Sequence, residues 1–332
     1  MANDQVQSRL MLPGEAEKLQ ALLTRCYGDS YFDGLYYDAQ ALADSIASAR
    51  QYSMVAVNSA GEFVSHIGVR NFARSLTADT TMAIVDPRYR SRGLFVDIGT
   101  QMLPVYEKLG LRGLYLQSVT IHPYTQLSTA KGHAGIVGLY LNYIPAATQF
   151  LAMDSFTSSV PTPSLIQLQA LAVMPGREVV IPKRYREQVQ AAFAQCNMPR
   201  SEVSSEGQLA QSQIRVEQKP RQRVAYLWVE RVGEDFSVRL DAILADGGYQ
   251  WVEYDGVYLQ LAMSGQAVDG AIGCANELGF AYAGVLPEYG KRDWLTLQRV
   301  DFEVLDVSEV CLVSDYSKEM LDFILQDMQR VG

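Results

Sequence analysis

Along the first half of the chain, the spacing of apolar residues switches between the period of a strand and that of a helix. Gln5–Met11 alternates and predicts a strand. Leu19, Leu22, Leu23 and Cys26 then recur at helical spacing, behind acids at Glu15 and Glu17 that suit a helix N-terminus. An aromatic-rich loop and a second helix follow, then two strands over residues 51–72 joined by a turn at Asn58–Gly61. "TTMAIVDP" predicts a strand stopped by Pro87. Leu94, Ile98, Met102, Val105 and Leu109 share one side of a single helix closed by Gly110. "RGLYLQSVT", "HPYTQLSTAKG" and "AGIVGLYLNYIP" predict strand, short helix and strand. The order is β-α-α-β-β-β-α-β-α-β, a mixed α/β (α+β) domain.

"VPTPSL", with Pro161 and Pro163, interrupts the pattern. It suggests a linker over 151–175 between a domain at 1–150 and another at 176–332. The second half restarts with a strand and a helix. It continues through strands at Gln213–Val216 and Arg223–Arg231, a helix ended by Gly247 and Gly248, and further strands and helices. "GLYLQSVT", a short helix ending at Gly132 and "GIVGLYLNYIP" are echoed by "GVYLQLAM", a helix ending at Gly279 and "FAYAGVLP". Two copies of one fold are therefore expected. The terminal helix carries Met320, Phe323, Ile324 and Met328 on one face, to seal its own domain or to meet a second copy in a homodimer.

Composition narrows the function. The 332 residues are 48% hydrophobic and 20% charged, as in an ordinary globular protein, and the net charge of -9 argues against nucleic acid as the main partner. No run approaches the ~18 apolar residues of a membrane helix, and no basic segment followed by an apolar stretch marks a leader. The four cysteines form no CxxC pair and read as reduced, buried thiols of a cytoplasmic protein. With three histidines, none at metal-ligand spacing, no metal site is expected.

Against this acidic background, "DPRYRSRGLF" crowds Arg88, Arg90 and Arg92 into one bend at a predicted helix start. The first amides of a helix lack partners, and the dipole there is positive. Gly93 permits close backbone approach, successive N–H groups form an anion nest, and arginines add charge-assisted hydrogen bonds. Such a turn suits a pyrophosphate.

The strand "AIVDP", the turn "RYRSRG" and the following helix resemble the acetyl-CoA pyrophosphate loop of the GCN5-related N-acetyltransferase (GNAT) superfamily. That pattern, V-x-P then [Q/R]-x-x-G-x-[G/A], falls on Val85, Pro87, Arg90, Gly93 and Phe95. Ser91 replaces a glycine common in the family, and Phe95 a small residue. The resemblance covers the first half, and more weakly the second. It implies two GNAT-like domains, each a mixed, splayed, mostly antiparallel sheet flanked by helices. In the second, Glu234 and Asp235 of "RVGEDFSV" would repel phosphate, which implies a degenerate copy. The first would bind acetyl-CoA or another acyl-CoA through Met82, Ala83, Ile84 and Val85 and through Arg90, Ser91, Arg92, Gly93, Leu94 and Phe95. Strand amides would polarise the thioester.

The family's usual base and acid have no clear counterparts. Asp79 is the acid nearest the expected base, and Ser128 stands where a tyrosine acid is common. His122, with an ordinary pKa near ~6.5, and Tyr124 are the substitutes for base and acid. His122 equally suits a helix-start cap, and Tyr124 packing against the pantetheine arm. Tyr27, Tyr31 and Tyr36 of "CYGDSYFDGLYYD", with Asp29 and Asp33, suit a cationic amine, or serve as a packed lid. His66 faces either the core or the acceptor cleft. The implied activity is acyl transfer to the amine of a small molecule or peptide; the alternative is a non-catalytic CoA-sensing or scaffolding protein.

Overall fold

The computed structural model describes residues 5–71, 75–151, 158–204, 209–245, 253–264 and 267–332. It is a mixed α/β structure whose strand pairs are mostly antiparallel. The chain divides into two compact units. One holds the residues up to Leu116 and the return segment from Ala147; the other holds Gln117–Ala146 and the chain from Ser158.

In the first unit β1 (Gln7–Leu10), β2 (Gln51–Val57), β3 (Phe63–Asn71) and β4 (Thr77–Val85) pair antiparallel in that order. β4 then pairs parallel with the start of β5 (Gly113–Val119). The helices are α1 (Ala16–Tyr27), α2 (Ala39–Ala47), α3 (Leu94–Gln101) and α4 (Leu103–Leu109). The helical stripe of Leu19, Leu22, Leu23 and Cys26 is buried with Leu42 of α2 against Val55, Phe63, Met82 and Ile84. The single helix expected over 94–110 is two. Pro104 has no N–H to donate and crowds the preceding turn, so α3 ends at Met102 and α4 restarts beyond it.

The second unit holds α5 (Tyr124–Lys131), β6 (Gly135–Ile144), β7 (Thr162–Ala170), β8 (Arg177–Val179), α6 (Arg186–Gln195), β9 (Arg200–Glu202) and β10 (Gln213–Lys219). β11 (Val224–Arg231), α7 (Phe236–Ala245), β12 (Gly256–Ala262), α8 (Val268–Glu277), β13 (Ala281–Tyr289), β14 (Arg292–Val300) and α9 (Asp315–Val331) complete it. Its main sheet runs β7-β6-β13-β14-β12-β11-β10, and β8 and β9 form a small parallel pair apart. Gly247 and Gly248, expected to end α7, lie outside the described residues.

The linker expected at 151–175 contains β7, which pairs antiparallel along β6. Its two prolines hide a strand. Pro163 sits near the strand start, and the polar Ser164 and Gln167 are buried because their side chains bond to Ser118 on β5. The order β3-β4-α3/α4-β5-α5-β6-β7 recurs as β10-β11-α7-β12-α8-β13-β14. Each run has an antiparallel pair, a parallel crossover and a closing antiparallel pair.

Two joints hold the second unit. Gly284 (φ 146°) faces Gly138 across β13 and β6, where an added Cβ would lie 2.4 Å from the Gly138 Cα. On α9, Met320, Ile324 and Met328 are buried. The nearly buried Asp327 carboxylate accepts from the Tyr185 hydroxyl (2.8 Å), the Tyr282 amide (2.8 Å) and Arg330. The apolar face of the terminal helix is thus used within its own unit. Two of the four cysteines, Cys26 and Cys196, are buried and two are half-buried; all are free thiols.

Candidate functional site: an arginine turn beside an open strand edge

The turn between β4 and α3 is anchored from below by Asp86, whose side chain is fully buried. Asp86 accepts from Arg25 Nε of α1 (2.6 Å), from the Arg88 amide (2.9 Å) and from the Arg88 guanidinium (3.0 and 2.9 Å). Burial pushes this carboxyl's pKa up, but the Arg88 and Arg25 bonds pull it down further, to about 2. Arg88 is therefore spent on the protein itself. Arg90 is half-buried, whereas Ser91, Arg92 and Gly93 are exposed. Arg92 stacks its guanidinium 4.6 Å from the centre of the Tyr89 ring.

Ser91 (φ 62°) and Gly93 (φ 77°) both adopt left-handed backbone. Ser91 thus keeps the conformation a glycine would take, at a cost of about 1–2 kcal/mol. The first helical bonds run from Val96 and Asp97 to the Gly93 carbonyl, so the amides of Leu94 and Phe95 lie ahead of the helix ladder. An added Cβ on Gly93 would meet nothing within 4 Å. The space above the turn is open.

β4 leads into this turn with one edge only partly paired. Its register with β5 is Thr77–Gly113, Ala78–Leu114 and Asp79–Tyr115, and no pair follows among the described residues. Thr80–Val85 therefore carries no ladder on that side, and Thr80 Oγ1 is buried without a hydrogen-bond partner there. On its other side β4 bulges against β3. His66 faces Ile84 and Gly68 faces Thr81, so β4 holds one extra residue, and Met82 takes φ 40°.

His66 lies at this bulge. Its ring is fully buried, Nδ1 is 2.7 Å from the Met82 carbonyl, and Nε2 is 3.0 Å from Ser53 Oγ. Burial pushes its pKa down to about 4, offset only in part by the Met82 bond. Of the two orientations open to His66, core or acceptor cleft, the ring takes the core, with both nitrogens engaged inside the sheet. Asp79 lies opposite Arg70 on β3 and Tyr115 on β5, so it shares their face at the last paired position.

The tyrosine-rich loop packs on this face. Tyr31 and Tyr36 are buried, Tyr27 is half-buried, and the rings of Tyr27, Phe32 and Tyr36 lie 4.8–5.9 Å from that of Tyr31. The Tyr36 hydroxyl donates to Thr81 Oγ1 (2.7 Å), and burial pushes its pKa up to about 12. Asp33 binds Arg70 (2.5 Å). Tyr31 and Tyr36 therefore serve first as core. Sequence reasoning overlooked Arg25, Asp86, Thr81 and Ser53, each of which has a partner remote in the chain. Asp86 alone left a signal, as a helix-capping acid before Pro87.

His122 and Tyr124 belong to the second unit, whereas Asp79 and the arginine turn belong to the first. His122 is buried, Tyr124 is exposed, and their rings are 5.4 Å apart. The counterpart of the turn, after β11, is closed by its own chain. The Gly233 amide donates to Ser212 Oγ (2.9 Å), and the Glu234 amide to the Leu209 carbonyl (2.8 Å). Asp235 accepts from the Ser212 amide, and a Cβ on Gly233 would lie 2.4 Å from the Gln211 carbonyl carbon. β11 and β12 stay paired from Val224–Gly256 to Val229–Leu261 without a break.

No family model matches the sequence, and no curated protein matches it. Among solved structures, the chain is similar to an acetyltransferase of the GNAT family from Streptococcus pneumoniae, at 18% identity and a TM-score of 0.40 over 50% of this chain and 100% of that one. The Escherichia coli ribosomal-protein-S18-alanine N-acetyltransferase aligns at 13% identity and 0.39, over 52% and 97%. The Vibrio cholerae spermidine/spermine N-acetyltransferase aligns at 12% and 0.38, over 49% and 93%. The chemistry has to be read from this chain's own residues.

Proposed function

We propose that the first unit binds acyl-CoA and transfers its acyl group to the amine of a small molecule or peptide. The observation that carries this reading is the open arginine turn, with left-handed Ser91 and Gly93, joined directly to a strand edge that carries no ladder among the described residues. The residues fit the ligand. Arg90, Arg92 and the amides of Ser91–Phe95 suit a pyrophosphate, while the edge of Thr80–Val85 suits an extended amide arm and a thioester carbonyl. In the transfer, the amine nitrogen bonds to the thioester carbon, the carbon–sulfur bond breaks with CoA leaving as its thiolate, and the amine proton leaves to a base. Asp79, at the last paired position of β4, is the first-unit candidate for that base. Tyr27 and Asp29 suit the acceptor side. The second unit is read as a degenerate copy, since its turn amides are consumed and its parallel strands are closed.

A second reading, a non-catalytic CoA-sensing or scaffolding protein, draws on the engagement of His66 inside the sheet and on Ser128 in place of a tyrosine acid. Calorimetric titration with acetyl-CoA tests the shared part. One acetyl-CoA per chain is expected, with affinity lowered roughly a hundredfold or more in Arg90→Glu, which replaces a charge-assisted bond by repulsion. Unchanged affinity in that variant, or two ligands per chain, refutes the assignment. Release of free thiol with a panel of amines then separates transferase from sensor.

A further inference from the structure

We propose that His66 is a positioning residue: its Nδ1–H holds the Met82 carbonyl and thereby fixes the bulge that aims the β4 amides at a thioester. This deepens the acyl-CoA reading and rests on it.

The geometry begins with the register. Between the pairs His66–Ile84 and Gly68–Thr81, β3 advances two residues and β4 three. Side-chain and amide directions alternate with a period of two, so one extra residue exchanges the two sides of everything beyond it. The Asp86 amide donates to the Val64 carbonyl on β3. Val85, one residue away, therefore turns its amide from β3 toward the edge without a ladder, and Ala83 follows at the same period. Remove the bulge, and a different set of amides faces that edge.

The bulge is held against its own preference. Met82 has φ 40°, a region that costs a side-chain-bearing residue about 1–2 kcal/mol. A carbonyl only accepts, so Nδ1 carries the ring proton and Nε2 accepts from the Ser53 hydroxyl. That tautomer is fixed by a relay. Gln51 Nε2 donates to Ser53 Oγ (3.1 Å), Arg70 Nε donates to Gln51 Oε1 (3.1 Å), and Arg70 is bound by Asp33 in the loop between α1 and α2. Gly68 leaves no slack: a Cβ there would sit 2.5 Å from Thr81 Oγ1 and 3.2 Å from His66 Cε1. Burial keeps the ring neutral at ordinary pH, so the Nε2 lone pair that accepts from Ser53 is not lost to protonation there.

The test uses the full chain with His66→Phe, which keeps a ring and removes both hydrogen bonds, and His66→Asn, which restores a donor near the Nδ1 position. Three readouts are taken: amide exchange over residues 80–85 without ligand, affinities for acetyl-CoA and for CoA, and the infrared carbonyl stretch of bound ¹³C-acetyl-CoA. The Phe variant is expected to exchange at least tenfold faster at 80–85. It should lose any preference for acetyl-CoA over CoA, and its bound carbonyl stretch should move toward that of free ligand. CoA affinity itself should stay within about threefold, because the arginine turn is intact. The Asn variant should recover most of the exchange protection and of the carbonyl shift. Unaltered exchange at 80–85 overturns the proposal, as does equal loss of CoA and acetyl-CoA affinity. Should the Phe variant fail to fold, unaltered exchange and carbonyl shift in an Ala variant that the Asn variant outperforms in nothing overturn it equally. Absence of any acyl-CoA binding by the wild-type chain strikes the functional reading instead, and the ligand-free exchange still decides whether His66 holds the bulge.

Discussion

Replacing Asp86 by Asn tests how the arginine turn is held in place. The substitution keeps shape and an acceptor for the Arg88 amide, but removes the charge between Arg25 and Arg88. The carboxyl pKa falls from 3.8 to about 2 on folding, worth about 2 kcal/mol at neutral pH. A larger cost is not expected, because Arg25 and Arg88 are 29% and 53% exposed and can turn to water once unpaired. The sign follows from the lowered pKa. The stabilisation is complete above the unfolded value of 3.8, and is lost as pH falls through about 2. The difference in stability between wild type and Asp86→Asn should therefore be near its full value at pH 7 and shrink toward pH 2. Glu15, whose pKa is held at about 2 by its bond to Arg9, titrates alike in both proteins and cancels. Tryptophan fluorescence is the wrong probe, because the first unit contains no tryptophan: all three fall after residue 157 in the sequence. Hydrogen exchange of peptides covering α1 and the β4–α3 turn reads the first unit directly. A difference that stays constant from pH 7 to pH 3 and below refutes the charge argument.

Three further substitutions separate conformational from packing effects. Gly93→Ala meets no atom within 4 Å but must adopt φ 77°, so it should destabilise the first unit by about 1 kcal/mol and weaken acetyl-CoA binding, while Ser91→Gly should be neutral or stabilising; thermal unfolding and calorimetric titration check both. Gly284→Ala places a methyl against the Gly138 Cα and the Val137 carbonyl, and should destabilise the second unit by several kcal/mol, read by tryptophan fluorescence during urea unfolding. A wild-type transition midpoint in that variant removes the Gly138–Gly284 joint from the account.

The sequence made some parts of the molecule legible and left others hidden. The stripe of Leu19, Leu22, Leu23 and Cys26, the strand stopped by Pro87 and the helix start after Gly93 follow from local rules, and all appear where those rules put them. β7 was hidden because its polar residues bond to Ser118, more than forty positions earlier. Tyr31, Tyr36 and His66 carried residue types that suit an acceptor site, yet all three are buried in the first unit.

By itself, then, the chain determined its periodicity, its breaks and a turn crowded with arginines, because these depend on neighbours within a few residues. Only the tertiary structure decided where β4 stops pairing, which arginines are spent on Asp86, and that a histidine sits under a bulge. Those outcomes depend on burial and on partners far away in sequence, where the cost of an unmet hydrogen bond or charge selects one arrangement among many that local pattern allows.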